Sequence, residues 1–356
     1  MRDNSYSKIN SFQLQHKFER WLFTDMFITN GHLVLISTFY PDVIIKYSDI
    51  DVLLHKADGL CVDKKLKLSK KFERNNPGPV RIIFYKIKAY SEVEIYVSYA
   101  GVSKRFHLVQ ETIEKKKQNS IAAATLFKND YELIPQWINH HKKHGINYFY
   151  LYYNGRLNSA IRKYLPQEEN IVVCDWDYSY WTEGIDIKND FNPVVWDTLV
   201  LDKKAINNYH HAQPMFINSI VHKYSNQHDW ILFTDLDEYI SLKTKTALID
   251  YLDGKKVTGF IIPNYFGYDK SNNFDYILRN ENHTNASRTK VLCNPKKVQI
   301  LNIHNIYKKK GKCLNYDEHD IYHVHLINKF HKDRINLISD RPVIDNIALI
   351  NNVDLI

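Results

Sequence analysis

Cysteine is scarce in this chain of 356 residues: there are four, Cys61, Cys174, Cys293 and Cys313, far apart and with no CxxC pair. That spacing argues against a zinc site and suits a reducing compartment. Long apolar runs are missing as well. None approaches the roughly 20 residues that a membrane helix needs, and the opening MRDNSYSKINSFQLQHKFER holds no apolar core of signal-peptide length. The expectation is a cytoplasmic protein with no transmembrane segment. Glycine and proline are few, 11 and 10, while Asn, Lys and Ile are plentiful, a bias that genomic base composition explains as readily as function does. Hydrophobic residues at 44% and charged residues at 25% are ordinary globular values and exclude wholesale disorder.

A concentrated basic patch is also lacking. The net charge is +8, yet apart from Lys115 to Lys117 and Lys308 to Lys310 the basic residues are scattered, so a nucleic-acid partner is not expected. An enzyme that binds an anionic nucleotide remains compatible with this charge.

What is present is one conspicuous stretch, DWILFTDLDEYIS at 229–241. Trp230 to Phe233 is short and continuously apolar, as in a strand buried on both faces. Asp235 and Asp237 follow at once, then Glu238. In an open α/β sheet, ligands bind outside the carboxyl ends of the strands, and carboxylates placed there lose solvation unless something compensates them. A hard divalent cation, Mg²⁺ or Mn²⁺, is the usual partner.

Residues 1–118 form short β-branched and aromatic runs such as Leu33 to Thr38, Val80 to Phe84 and Val93 to Val97. Polar turns separate them, which predicts a β-rich domain of sandwich type, either an accessory module or one that positions a glycan. The polar stretch from Glu111 to Ser120 reads as the connection. From 119 to 356 the pattern changes to alternating strands and helices, the sign of a largely parallel sheet. Ile121 to Phe127 is the first strand. Leu133, Ile134, Trp137, Ile138 and His141 recur at helical spacing, and Gly145 provides a stop. Asn147 to Tyr152 makes a second strand, completing a βαβ unit, and Ile171 to Cys174 a third. An acidic aromatic loop with Asp175, Trp176, Asp177 and Trp181 follows. A helix begun by Pro214, approached through His210, His211 and Gln213, leads back to the acidic strand.

The segment LFKNDYELIPQWINHHKKHGINYFYLYYNG, 126–155, resembles the opening signature of family 92 glycosyltransferases and their relatives in the family 2 group. Three later segments agree in order: Gln213 with its helix, the aspartate pair, and RTKVLCNPKKVQILNIHNIY at 288–307. The resemblance implies a GT-A-type, Rossmann-like α/β fold behind the β-rich front domain. It also implies transfer of a sugar from a nucleotide-sugar donor, with UDP preferred, to a glycan or glycoconjugate acceptor, with inversion. Asp235 and Asp237 would hold Mn²⁺ or Mg²⁺ against the diphosphate, with His304 as the first choice of additional ligand and His325 as its competitor. Lys128, Asn129, Asp130, Tyr153, Gln213 and Asp235 would contact the nucleotide. Asp130 and Tyr153 depart from the family pattern, which has Glu and Asp at those places. For the catalytic base, Asp269 is preferred over Asp275 and Glu281, although a solvated loop carboxylate beside Lys270 is its plainer reading.

Two other classes compete. One is a non-catalytic glycan-binding protein with a transferase-like domain. The other is a metal-dependent phosphatase of the haloacid-dehalogenase kind, where Tyr239 stands in place of the required Thr.

Overall fold

The computed structural model describes residues 7–8, 12–14, 20–37, 51–56, 61–66, 68–74, 80–87, 92–99, 102–109, 120–128, 130–176, 212–269, 277–280, 282, 288–327 and 343–345. The chain divides into two compact units, Lys8–Glu114 with Tyr178–Lys223, and Met1–Ser7 with Lys115–Asp177 and Tyr224–Ile356. The expected loop from Asp177 to Trp181, His210, His211, Asp275 and Glu281 lies outside the described residues, as does the connection apart from Ser120.

In the first unit, strands Asp25–Thr29, His32–Ser37, Val80–Lys86 and Leu68–Arg74 form one antiparallel sheet in that spatial order. Val102–Val109, Glu92–Tyr99, Asp51–Lys56 and Cys61–Lys65 form another. Alternation with period two buries Leu33, Leu35, Ile83 and Tyr85 from one sheet and Ile95, Val97, Phe106 and Leu108 from the other in a single core. Asn30 and Gly31, both at positive φ (50° and 68°), close the hairpin between the first two strands. Asn-Gly suits the type I′ turn that matches strand twist. Helix Ala212–Lys223 belongs to this unit, with His222 packed on Phe72 and Phe84. It begins two residues ahead of Pro214, where the sequence suggested the start.

The second unit is mixed α/β. Strand β1 (Ile121–Phe127) is buried throughout and leads through a 3₁₀ turn, Tyr131–Leu133, into helix α1 (Ile134–Lys143). The helix buries Ile134, Trp137, Ile138 and His141, the face its spacing predicts. Gly145 ends it at φ 80°, and a Cβ there would come 2.5 Å from the Ile249 side chain. Then follow β2 (Tyr148–Tyr153), β3 (Ile171–Asp175) and β4 (Trp230–Phe233). All three neighbour contacts among β1 to β4 are parallel, in the order β3, β2, β1, β4. The order reverses between β1 and β4, which makes the carboxyl ends of these two strands the topological switch point.

The chain continues through β5 (Glu238–Leu242), β6 (Gly259–Ile262), β7 (Asn264–Asp269), β8 (Ile277–Arg279) and β9 (Lys290–Cys293). A hairpin of β10 (Val298–Asn302) and β11 (Asn305–Lys309) precedes β12 (Cys313–Leu314), β13 (Ile321–Leu326) and β14 (Val343–Asp345). Strand β9 joins the main sheet antiparallel to β4, followed by β6 and β12, and Ser7–Lys8 lies at the far edge beside β3. A second sheet has the order β5, β13, β7, β8, β14. The sheet is thus largely parallel where the sequence alternates strands and helices, and after residue 237 antiparallel pairing predominates, with only β6–β12 and β7–β13 parallel among the described strands. One core, from Ile121 to Leu326, joins α1 to both sheets. Among the described residues no helix is long and apolar enough to cross a membrane.

Candidate active site

The acidic motif occupies the four residues between β4 and β5. Leu236, with no exposed surface, anchors the turn, while Asp235 and Asp237 flank it. The Asp235 N–H donates to Glu238 Oε2 at 2.9 Å, and the Glu238 N–H returns a bond to the Asp235 carbonyl at 3.1 Å. These reciprocal bonds hold the tight corner that turns the chain from one sheet into the other. Asp237 and Glu238 are buried at 6% and 3% exposure, whereas the Asp235 side chain keeps 35%. Asp235 is the carboxylate that reaches outward.

Two strands from elsewhere in the chain supply the positive groups. Lys290 opens β9, whose antiparallel register sets Val291 against Phe233 and so brings the lysine alongside Asp235. Its Nζ lies 2.5 Å from Asp235 Oδ2 and 3.0 Å from Glu238 Oε2, although the residue is only 4% exposed. Burial works against the ammonium, but Asp235 and Glu238 outweigh it and push the lysine pKa above its ordinary value. On β13, His325 stands opposite Glu238, and its Nε2 is 3.1 Å from Asp237 Oδ2. Here too burial lowers the imidazole pKa, while Asp237 and then Glu238 raise it to a net increase.

Of the two histidines weighed as additional ligands, His325 is therefore the one in contact with the aspartate pair. His304 lies in the turn between β10 and β11, and its Nδ1 donates to the Thr289 carbonyl at 2.5 Å. That bond leaves Nε2 as its acceptor nitrogen. Burial lowers its pKa, with Lys290 also lowering it and Glu238 and Asp235 opposing.

At the end of β1, Lys128 is exposed and Asp130 half-buried. The Asp130 carboxyl is pushed up to about 6, by burial first and then by Asp237 and Asp235. The structure thus joins Asp130 to the acidic pair in one field. Tyr153, at the end of β2, packs its ring 5.3 Å from Phe127 and lies on the same sheet edge. Asn129 lies outside the described residues, and Gln213 lies on helix Ala212–Lys223 in the other unit.

Asp269 ends β7, next to the strand that carries His325, with Phe266 in register with His325. It is 2% exposed, so it is not the solvated loop carboxylate of the plainer reading. Burial raises the Tyr239 pKa well above the ordinary value, and Asp237, Asp269 and Asp130 add to the shift. Tyr239 therefore lies in the field of three of the four expected site acids.

Sequence reasoning gave no role to Lys290, and of the histidines around Tyr239 it placed only His141, on the buried face of its helix. Lys290 has a signal, a single cation heading the apolar run KVLC, because a lysine at such a position is retained only with partners. His140, His141 and His144 are all buried, and the His140 ring lies 5.2 Å from His141, 5.1 Å from His144 and 5.3 Å from Tyr239.

A comparison with curated proteins finds no match in sequence. Among solved structures, the chain is similar to the mannosyltransferase Ktr4p from S. cerevisiae, with 11% identity, a TM-score of 0.26, and coverage of 46% of this chain and 43% of that one. Ktr4p in complex with GDP gives 11% identity, a TM-score of 0.27, and coverage of 46% and 44%. The chain spans less than half the length of these structures, and a likeness this slight carries no argument about substrate. The profile of glycosyltransferase family 92 matches residues 118–344, most of the chain and every residue of the acidic site, so the chain belongs to that family.

Proposed function

We propose that this protein is a metal-dependent glycosyltransferase of GT-A type that moves a sugar from a nucleoside diphosphate sugar, with UDP the preferred carrier, to a glycan or glycoconjugate acceptor. The observation that carries this reading is the contact of Asp237 with His325, 3.1 Å apart, two residues from the more exposed Asp235 at the switch point. Two carboxylates and an imidazole form a donor set that suits Mn²⁺ or Mg²⁺. Among the described residues no three His, Cys, Asp or Glu side chains converge closely enough to hold a metal ion by themselves, so in this reading the donor's phosphates complete the site. Such ions are commonly held by one or two carboxylates together with substrate phosphates. When bound, the ion would neutralise charge developing on the departing diphosphate.

The chain's own residues have separate tasks in this reading. Asp237 and His325 would hold the ion, and Asp235, the more exposed carboxylate, would be the ligand on the solvent side. Lys128, Asp130 and Tyr153 line the edge where a nucleotide would lie, with Tyr153 offering a ring to stack on the base. Asp269 is the candidate base for the acceptor hydroxyl in an inverting displacement. The test is a transfer assay with a panel of UDP- and GDP-sugars. Turnover that stops in excess chelator, returns with Mn²⁺ and is lost in a folded Asp237→Ala variant supports the reading. Undiminished turnover in chelator would overturn the metal, and glycan binding without turnover of any donor would favour a lectin-like role.

A further inference from the structure

The lysine in the acidic corner is not required by the fold alone. A buried lysine is costly, and strand β9 could be headed by an apolar residue as its neighbours Val291 and Leu292 are. Instead Lys290, with 5% of its side chain exposed, divides its ammonium between Asp235 at 2.5 Å and Glu238 at 3.0 Å. An ammonium has three donors, and no third partner of Lys290 occurs among the described residues. The two aspartates are therefore unlike. Asp237 faces the imidazole of His325, whereas Asp235 faces the ammonium of Lys290. A divalent ion and an ammonium that share one carboxylate repel each other unless an anion joins them.

We propose that Lys290 is a positioning residue of the donor site: its ammonium is the counter-cation of Asp235 and Glu238 in the donor-free protein, and it makes cation binding at Asp235 depend on the diphosphate that arrives with the donor. The inference rests on the metal-dependent reading above. Without donor, Lys290 keeps mutual repulsion among Asp235, Asp237 and Glu238 in check and holds Asp235 at the mouth of the turn. When the diphosphate enters, its charge compensates both cations at once, and the lysine's remaining hydrogen has an oxygen to meet.

The experiment measures Mn²⁺ binding to the full chain by electron paramagnetic resonance, with and without UDP or GDP, in the wild type, Lys290→Gln and Lys290→Arg. The wild type is expected to bind Mn²⁺ weakly alone and roughly tenfold or more tightly with a diphosphate, a coupling of ordinary allosteric size. Lys290→Gln is expected to bind Mn²⁺ alone about tenfold more tightly than the wild type and to lose most of the coupling. Lys290→Arg, which keeps the charge, retains it. Lys290→Gln combined with Glu238→Gln removes one charge of each sign, and it is read in the same way if the single variant does not fold. Unchanged Mn²⁺ affinity and unchanged coupling in a folded Lys290→Gln variant would overturn the role of the lysine and leave the metal site standing. If neither wild type nor variant binds Mn²⁺ with any diphosphate, the metal-dependent reading falls and takes this inference with it.

Discussion

The His325 Nε2 lies 3.1 Å from Asp237 Oδ2, and the N–H of the next residue, Leu326, donates to the Asp237 carbonyl at 2.9 Å, so backbone and side chain hold the same two segments together. The second sheet thus delivers an imidazole to a carboxylate that the first sheet presents. Each group alone is a buried polar residue; together they are two of the donors that the proposed cation site would use.

Replacement of His325 therefore tests the site directly. His325→Ala is expected to lower Mn²⁺ affinity by about tenfold or more, the range seen when groups around a bound ion are removed. His304→Ala should change it less, because that ring bonds to the Thr289 carbonyl rather than to an aspartate. Titration of both variants with Mn²⁺ decides between them, and the opposite ranking would assign His304.

Asp269 is expected to act on the acceptor and not on the ion. Asp269→Asn should lower kcat by roughly 10²- to 10⁴-fold, the size of a general-base contribution, with nucleotide and Mn²⁺ binding unchanged. Full turnover in the variant would remove Asp269 from the mechanism.

Gly267 lies where β7 packs against β13, and a Cβ there would come 2.3 Å from Val324 Cγ1 and 3.3 Å from Ile277 Cγ2. Gly267→Ala should cost about 1–3 kcal/mol through overpacking and weaken the alignment of His325. Urea unfolding measures the first effect and Mn²⁺ affinity the second. A variant as stable as the wild type would show that the strands separate easily.

The histidines beneath the site make stability depend on pH. Burial lowers the His140 pKa to about 4 and holds His141 and His144 well below the ordinary histidine value. Lys143 faces His140 and His144 as a further positive charge, and Tyr239 supplies an aromatic wall. Since the folded pKa lies below the unfolded one, the unfolded chain takes up protons first. Their contribution is complete above about pH 6.5 and is lost as pH falls toward 4, at about 1.4 kcal/mol per pH unit for each histidine. Urea midpoints between pH 7.5 and 5 should fall steeply, and less so in a His144→Asn variant. A flat profile would contradict the burial of the cluster.

The strand DWILF and its acidic turn were legible because a continuous apolar run that ends in carboxylates has few structural explanations. The helix of Trp137 and Ile138 was equally legible from its spacing, as was its stop at Gly145. Between residues 237 and 327 the sequence was less informative. There β5, β7 and β13 are short and buried on both sides, and neither period nor turn residues show that β13 sits between β5 and β7. The choice between His304 and His325 depended on that order. Lys290 was hidden for a related reason, since its partners lie 52 and 55 residues earlier in the chain and meet it only through the pairing of β9 with β4. The Asn30-Gly31 hairpin carried a strong local signal, and the sequence reading went past it.

Thermal unfolding with UDP and GDP, each with and without Mn²⁺, in the wild type and Asp237→Asn tests the central claim most directly. A ligand at about a hundred times its dissociation constant stabilises the native state by roughly 2.7 kcal/mol, a shift of a few degrees. A shift in the wild type that needs both diphosphate and metal, and that disappears in Asp237→Asn, is the predicted result. A diphosphate shift that is the same without metal, or that survives in Asp237→Asn, would contradict the account.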